Sequence, residues 1–377
     1  MRIFQQLITS KAQIEALSLT FVPDVIFLFA SLKFEDIDKA LTSIQQKYTQ
    51  AIIIGGTTAG EIIDQQVIDD SIVLSAVKFN GTKVKLYGKD LPTDVSQYFE
   101  VGNKFVQDID QEDLKHIFLI SDVQTLHASN LLKGINHKLK SHISVTGGLA
   151  GRESYIGSNY IIDLGSLKRN RVIALAMYGD RLQVNYNAQG GWDSYGVECL
   201  VTKSEKNQIL EIDGLPALDF YKSVVEPNIL SDVKQLGFKH PIKVRNKDHS
   251  NPVIRALLDI DESNKSLIMA EEIPAGSYVR IMKANVDRLI LGAENAAKTI
   301  AQQNKHEHEL AILISCSGRR KVLGKLAKEE VEAVVQQFPS TTKSIGFYSY
   351  GEISPFFEKP KTSLHNLTMC VTTFSEL

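Results

Sequence analysis

Gly55–Ile62 reads GGTTAGEI and Gly346–Ile353 reads GFYSYGEI, two copies of the pattern Gly-x-x-x-x-Gly-Glu-Ile at distant points of one chain. A related glycine cluster, GGLAG, occupies Gly147–Gly151. Each cluster starts 24 to 29 residues after a serine that closes a short apolar run: VIFLFAS at Ser31, HIFLIS at Ser121 and AILISCS at Ser317. The recurring order is strand, helix, strand, glycine corner.

In the first unit, Val25–Ala30 is a continuous run of β-formers. Phe34, Ile37, Leu41, Ile44 and Tyr48 follow at spacings of 3, 4, 3 and 4, which predicts a helix with one buried stripe. Ala51–Ile54 then reads as a second buried strand, and the helix supplies the crossover that parallel pairing requires. Ile68–Phe79 carries a returning strand, so mixed pairing is expected. The second unit has Ile117–Ile120, a helix marked by Leu131, Leu132, Ile135 and Leu139, and Ile143–Thr146; Tyr160–Leu164 and Val172–Tyr178 read as strands paired with each other. The third has Ala311–Ile314, a helix with Leu323, Leu326, Val331, Val334, Val335 and Phe338, the strand entering Gly346, and a return over Leu367–Thr373.

Between the second and third units the pattern changes. Val197–Thr202 and Gln208–Ile212 flank a polar turn, and Pro216 opens a helix carrying Leu218, Tyr221 and Val225, since a first helical residue needs no amide hydrogen. The expected fold is α/β, or α+β, with mixed sheets and helical crossovers, divided near residues 205–230 into domains 1–210 and 211–377.

Composition excludes some partners and names no chemistry. Of 377 residues, 43% are hydrophobic and 23% charged, which permits a large core. The formal charge of −2 gives no global field for nucleic acid or anionic lipid. Cys199, Cys316 and Cys370 stand too far apart for a CxxC motif. With no signal peptide, they point to a reducing, cytoplasmic setting. No apolar run approaches the roughly 20 residues of a membrane span, so direct insertion is not expected.

The ordered set GGTTAGEI, GGLAG, GWDSYGVECLVTK, EIDGLPALDFY, SCSGRR, GFYSYGEI and LHNLT resembles the FIST family, with its FIST and FIST_C domains, from about Val25 to Phe374. The resemblance implies an intracellular sensory module rather than an enzyme, binding a small ligand, with amino acids as one class. Some members are joined to, or encoded beside, histidine kinases, chemoreceptors and cyclic-dinucleotide enzymes, and some resemble haem-based nitric oxide sensors. This sequence carries no such output domain, so its signal would pass to a separate protein of the two-component or related systems.

Candidate ligand contacts lie at the corners. Glycine lets the main chain approach closely, and consecutive amides can point into one concavity. Thr57 and Thr58 add hydroxyls, Glu61 and Glu352 can accept from an ammonium, and Tyr348 and Tyr350 offer aromatic contact with a polar edge. Arg152, where the family more often has an acidic residue, and Arg319, in the cysteine-then-arginine motif, suit a carboxylate. The glutamates equally fit as caps of a following turn, and the arginines as interdomain bridges.

Two other chemistries remain open. Cys316 has the makings of a nucleophile if Arg319 favours its thiolate and His365 supplies a base, although a buried thiol in a core strand fits equally. Haem needs an axial donor in an apolar pocket, with His116, His127, His240, His249 and His365 as candidates; His306 and His308, in KHEHE, read as solvent-facing. Phe347, Phe356 and Phe357, or Trp192 with Tyr195, are aromatic groups that suit a pocket wall.

Overall fold

A computed structural model describes residues 1–153, 157–225, 237–246, 251–303, 308–356 and 361–377, without the side chains of residues 125 and 126. His249, His306 and Phe357 lie outside the described residues. The fold is mixed α/β, and three of its four sheets repeat one six-stranded plan.

In the first sheet Val25–Ala30 and Ile52–Thr57 run parallel, joined by the helix Ile37–Lys47. Ile72–Lys78 returns antiparallel beside Val25–Ala30, and Arg2–Ile8 extends that side. The second sheet has Leu114–Ser121 parallel to Ser144–Leu149 across the helix Thr125–Lys138, then Arg171–Tyr178 and Lys83–Asp90. The third has Leu310–Cys316 parallel to Lys343–Ser349, then Met369–Glu376 and Leu182–Gln189. Its crossover is not one helix: Ser317–Leu323 and Ala327–Val335 are separated by a 3₁₀ turn at Gly324–Leu326, where Gly324 takes φ +56°.

The far edge of each sheet is completed by a hairpin from another repeat. Glu61–Ile63 and Gln66–Ile68 leave the first corner and pair with Lys343–Ser349 of the third sheet. Ile161–Asp163 and Ser166–Lys168 leave the second corner and pair with Ile52–Thr57 of the first. Glu352–Pro355 and Thr362–His365 leave the third corner and pair with Ser144–Leu149 of the second. The exchange is cyclic and gives the three repeats approximate threefold symmetry. It also corrects one pairing: Ile161–Asp163 does not pair with Arg171–Tyr178, because it crosses to the first sheet.

The continuous apolar runs follow from this arrangement. Alternate residues of a strand face opposite sides, so Val25, Phe27 and Phe29 join Phe118, Ile120, Ile312, Ile314 and Phe347 in a core shared by the three sheets. Ile26, Leu28 and Ala30 pack instead with Leu41 and Ile44 of their own crossover helix. Burying each such large side chain contributes roughly 1.5–3 kcal/mol. Phe27 meets Phe118 edge-on at 5.3 Å, and Phe29 lies 4.5 Å from Phe347. The corner glycines permit the close parallel pairing: a Cβ on Gly55, Gly147 or Gly346 would lie 1.6, 1.8 or 1.8 Å from the carbonyl oxygen of Leu28, Leu119 or Leu313.

A fourth, nine-stranded sheet is inserted between Leu182–Gln189 and the helix Val286–Gln303. Here Cys199–Glu205 and Gln208–Ile212 form the expected hairpin, and Pro216 precedes the helix Ala217–Val224. Position 210 lies inside that hairpin.

Candidate functional site at the second glycine corner

The three corners meet in a closed ring of backbone hydrogen bonds. The amide of Ala59 donates to the carbonyl of Tyr348 at 2.9 Å, that of Gly151 to Thr57 at 2.7 Å, and that of Tyr350 to Leu149 at 3.4 Å. A second threefold set runs from Tyr348 to Gly60 at 2.9 Å, from Leu149 to Gly351 at 2.8 Å and from Thr57 to Tyr160 at 2.9 Å. These corner amides, expected to face a ligand concavity, are therefore spent on neighbouring corners.

Two corners are closed further by a buried glutamate. Glu61 accepts from the Thr58 hydroxyl, and its other oxygen accepts from the Ser71 hydroxyl at 2.8 Å and amide at 3.2 Å. Glu352 accepts from Ser349 Oγ at 2.9 Å and from the Thr368 hydroxyl at 2.8 Å and amide at 3.1 Å. Burial pushes both carboxyls up to about 7, against the opposing pull of these donors.

The second corner breaks the symmetry. In the ladders, Ile161 stands opposite Gly56 as Glu61 stands opposite Phe347 and Glu352 opposite Gly148. Residues 152–159 are thus additional, and the capping position holds an isoleucine. The amides that open the return strand, Asn170 and Arg171, are held instead by Asp122 at 2.6 and 2.8 Å. Of the additional residues, the described Arg152, Glu153 and Asn159 lie partly exposed at the edge of the ring. Arg152 Nη1 donates to Asn159 at 2.9 Å, and Glu153 accepts from Ser31 Oγ at 3.3 Å and pairs with Lys33. Tyr350 donates its hydroxyl to the Arg152 carbonyl at 2.8 Å.

Arg152 borders two clefts. One, of about 350 Å³, also takes in Asp69, Glu153, Ser317, Arg320 and Lys321. Arg320 grips Asp69 with two nitrogens at 2.7 and 2.8 Å and donates to the Ala59 carbonyl at 2.6 Å, joining this cleft to the first corner. The other, of about 380 Å³, is lined by Asp122, Gln124, Asn159, Arg169, Asn207 and Tyr350 among others.

The sequence-predicted positions therefore separate. Arg152 and Tyr350 face the clefts, whereas Thr57, Thr58, Glu61, Tyr348 and Glu352 are buried in the ring and its caps. Thr57 Oγ1 exchanges hydrogen bonds with the Tyr160 backbone at 3.0 and 3.2 Å. Arg319 is fully buried, pairs with Glu330 and donates to the carbonyls of Gly190 and Leu289. Glu153 and Asp122 were missed. Glu153 follows Gly147 at the spacing that separates Glu61 from Gly55 and Glu352 from Gly346, which was a usable signal; Asp122 had none, because its partners lie in another strand.

Cys316 is buried, which pushes its thiol well up, and its neighbour Arg319 is committed to Glu330. The described histidines do not present an axial nitrogen to any of these clefts. His116 is held by Ser144 at 2.7 Å and Thr146 at 3.0 Å, and His365 Nε2 lies 2.9 Å from the Ser354 carbonyl. His308, expected at the surface, is buried against Phe338 with Nδ1 2.9 Å from Thr373 Oγ1. Trp192 is likewise packed in the interior, its Nε1 donating to the Leu367 carbonyl at 2.8 Å. No group of three metal-ligating side chains occurs among the described residues, and no helix there is long and apolar enough to cross a membrane.

The chain is 20% identical to Uncharacterized protein MJ1623 of Methanocaldococcus jannaschii in an alignment 366 positions long that spans 87% of this chain and 69% of that protein. Among solved structures it is similar to cyanuric acid hydrolase from A. caulinodans, with a TM-score of 0.40, 8% identity, and coverage of 99% and 98% of the two chains. The FIST N domain matches residues 24–215 and the FIST C domain matches residues 217–355. Both domains are thus present in order over most of the chain, which belongs to the FIST family, whose domains are associated with signal-transduction sensing.

Proposed function

We propose that the protein is a cytoplasmic sensor of a small polar metabolite, an amino acid or a related molecule, bound at the second glycine corner. The observation that carries this reading is the local loss of threefold symmetry. Two corners are closed by buried glutamates, while the second carries additional residues that place Arg152 and Glu153 beside a cleft of about 350 Å³, with Arg152 also bordering one of about 380 Å³. A guanidinium and a carboxylate at one edge suit a ligand bearing both charges. Loops on a rigid scaffold are the usual place for such contacts.

Occupancy acts on the ring because Gly151 donates to Thr57 and Tyr350 carries Arg152. A ligand that prefers one arrangement of these corners shifts the population of that arrangement. The output then passes to a separate protein, with a histidine kinase, chemoreceptor or cyclic-dinucleotide enzyme as the expected partner. No catalytic step is assigned.

The test is mass spectrometry of small molecules released on denaturing the purified protein, followed by titration of the molecule found. Arg152→Ala and Glu153→Gln should each weaken its binding at least tenfold. Stoichiometric haem in the released fraction, or a ligand indifferent to both substitutions, overturns this placement.

A further inference from the structure

A second polar pocket lies where the inserted sheet meets the second repeat. Two adjoining cavities, of about 270 and 130 Å³, share Ser129 and Lys133 of the helix Thr125–Lys138 with Asn246 and Arg255 of the insert. Arg255 is 8% exposed. Its Nη1 donates to the carbonyls of Ile254 at 3.3 Å and Leu364 at 3.1 Å, and the described residues supply no acceptor to its Nε and Nη2. Glu271 lines the smaller cavity, is 3% exposed, and its Oε1 has no hydrogen-bond partner among the described residues.

A buried guanidinium and a buried carboxylate normally make contact, because each is costly to desolvate alone. Among the described residues Glu271 Oε1 has no partner and no ion pair joins it to Arg255 within 4.0 Å, although the charge of Arg255 acts on Glu271. Burial pushes the Glu271 carboxyl up to about 7 against that pull. The arrangement thus holds opposite charges apart around a space edged by Asn246 and Lys133.

We propose that these adjoining cavities bind a small zwitterion, its carboxylate on the open edge of Arg255 and its ammonium on Glu271 Oε1. The site stands apart from the second corner and shares with the sensory reading only the premise that the chain takes up a small polar molecule. Arg255 also connects it to the third repeat through the Leu364 carbonyl, on the hairpin strand that pairs with Glu352–Pro355.

The experiment is calorimetric titration of the full chain with glycine and the other common L-amino acids, with acetate and methylammonium as half-ligands. At least one zwitterion should bind saturably, and both half-ligands at least a hundredfold more weakly. Arg255→Lys and Glu271→Gln should each reduce affinity at least tenfold. Lys133→Met, which removes a cavity charge without touching the buried pair, should reduce it about threefold to tenfold and keeps the test valid if the buried variants fail to fold. Absence of zwitterion binding to the folded wild-type chain overturns the proposal. Binding that survives Lys133→Met and Glu271→Gln but is lost in Arg152→Ala also overturns it, while leaving the second-corner reading intact.

Discussion

Glu61 and Glu352 occupy equivalent places in two repeats and are satisfied in the same way. Each takes a hydroxyl from the residue three positions earlier, Thr58 or Ser349, and both the amide and the hydroxyl of the residue opening the return strand, Ser71 or Thr368. The carboxylate thereby ties a glycine corner to the strand that closes the same repeat.

Truncation of either carboxylate strands buried donors. Glu61→Ala or Glu352→Ala should cost on the order of 3 kcal/mol, whereas glutamine, which retains one acceptor, should cost about 1–2 kcal/mol. Urea unfolding of the four variants measures this. Equal costs for alanine and glutamine would show that lost volume, not lost acceptors, sets the penalty.

Both carboxyls are raised from the usual 4.5 to about 7 by burial. Between those values the folded chain holds more protons than the unfolded one, so this contribution is complete below about pH 4.5 and is lost as pH rises through 7. Its size is on the order of 1–3 kcal/mol per carboxyl. His116 and His365 act oppositely: burial lowers them to about 3 and about 4, so their contribution is lost as pH falls below 6.5. The glutamate share is isolated by comparing wild type with Glu61→Gln/Glu352→Gln, whose stability should decline less from pH 5 to 7.5. Parallel curves would refute the assignment.

Arg319 and Glu330 are both fully buried. Arg319→Met leaves the buried Glu330 without its ion partner and should cost about 3–5 kcal/mol. The double variant Arg319→Met/Glu330→Gln should recover at least about 1 kcal/mol of that loss, since the uncompensated charge is gone. A thermodynamic cycle in urea measures the coupling; strict additivity would mean that the pair is not the source of the penalty.

Alanine at Gly55, Gly147 or Gly346 would place its Cβ within 1.8 Å of a carbonyl oxygen on the parallel strand, a collision with backbone that no rotamer relieves. Each substitution should destabilise by more than about 2 kcal/mol. The prediction is checked by soluble yield and melting temperature, and similar losses at all three positions are expected from the shared geometry.

The apolar runs Val25–Ala30, Ile117–Ile120 and Ala311–Ile314, the crossover periodicity and the glycine corners were legible in the sequence, because parallel pairing, helical stripes and close backbone approach each impose a local pattern. The mixed α/β class followed from them, and the family resemblance from the ordered set of motifs between GGTTAGEI and LHNLT. Tertiary structure alone decided the cyclic exchange of hairpins, since three-residue strands such as Glu61–Ile63 and Ile161–Asp163 carry too little pattern to name a partner. It also sorted the polar residues. Arg319 reads as a ligand arginine until Glu330 and two distant carbonyls are seen to satisfy it, and Arg255 and Glu271 carry no motif at all. Sequence patterning reports which side chains leave water, whereas the partner that compensates a buried charge is set by chain segments far apart in sequence.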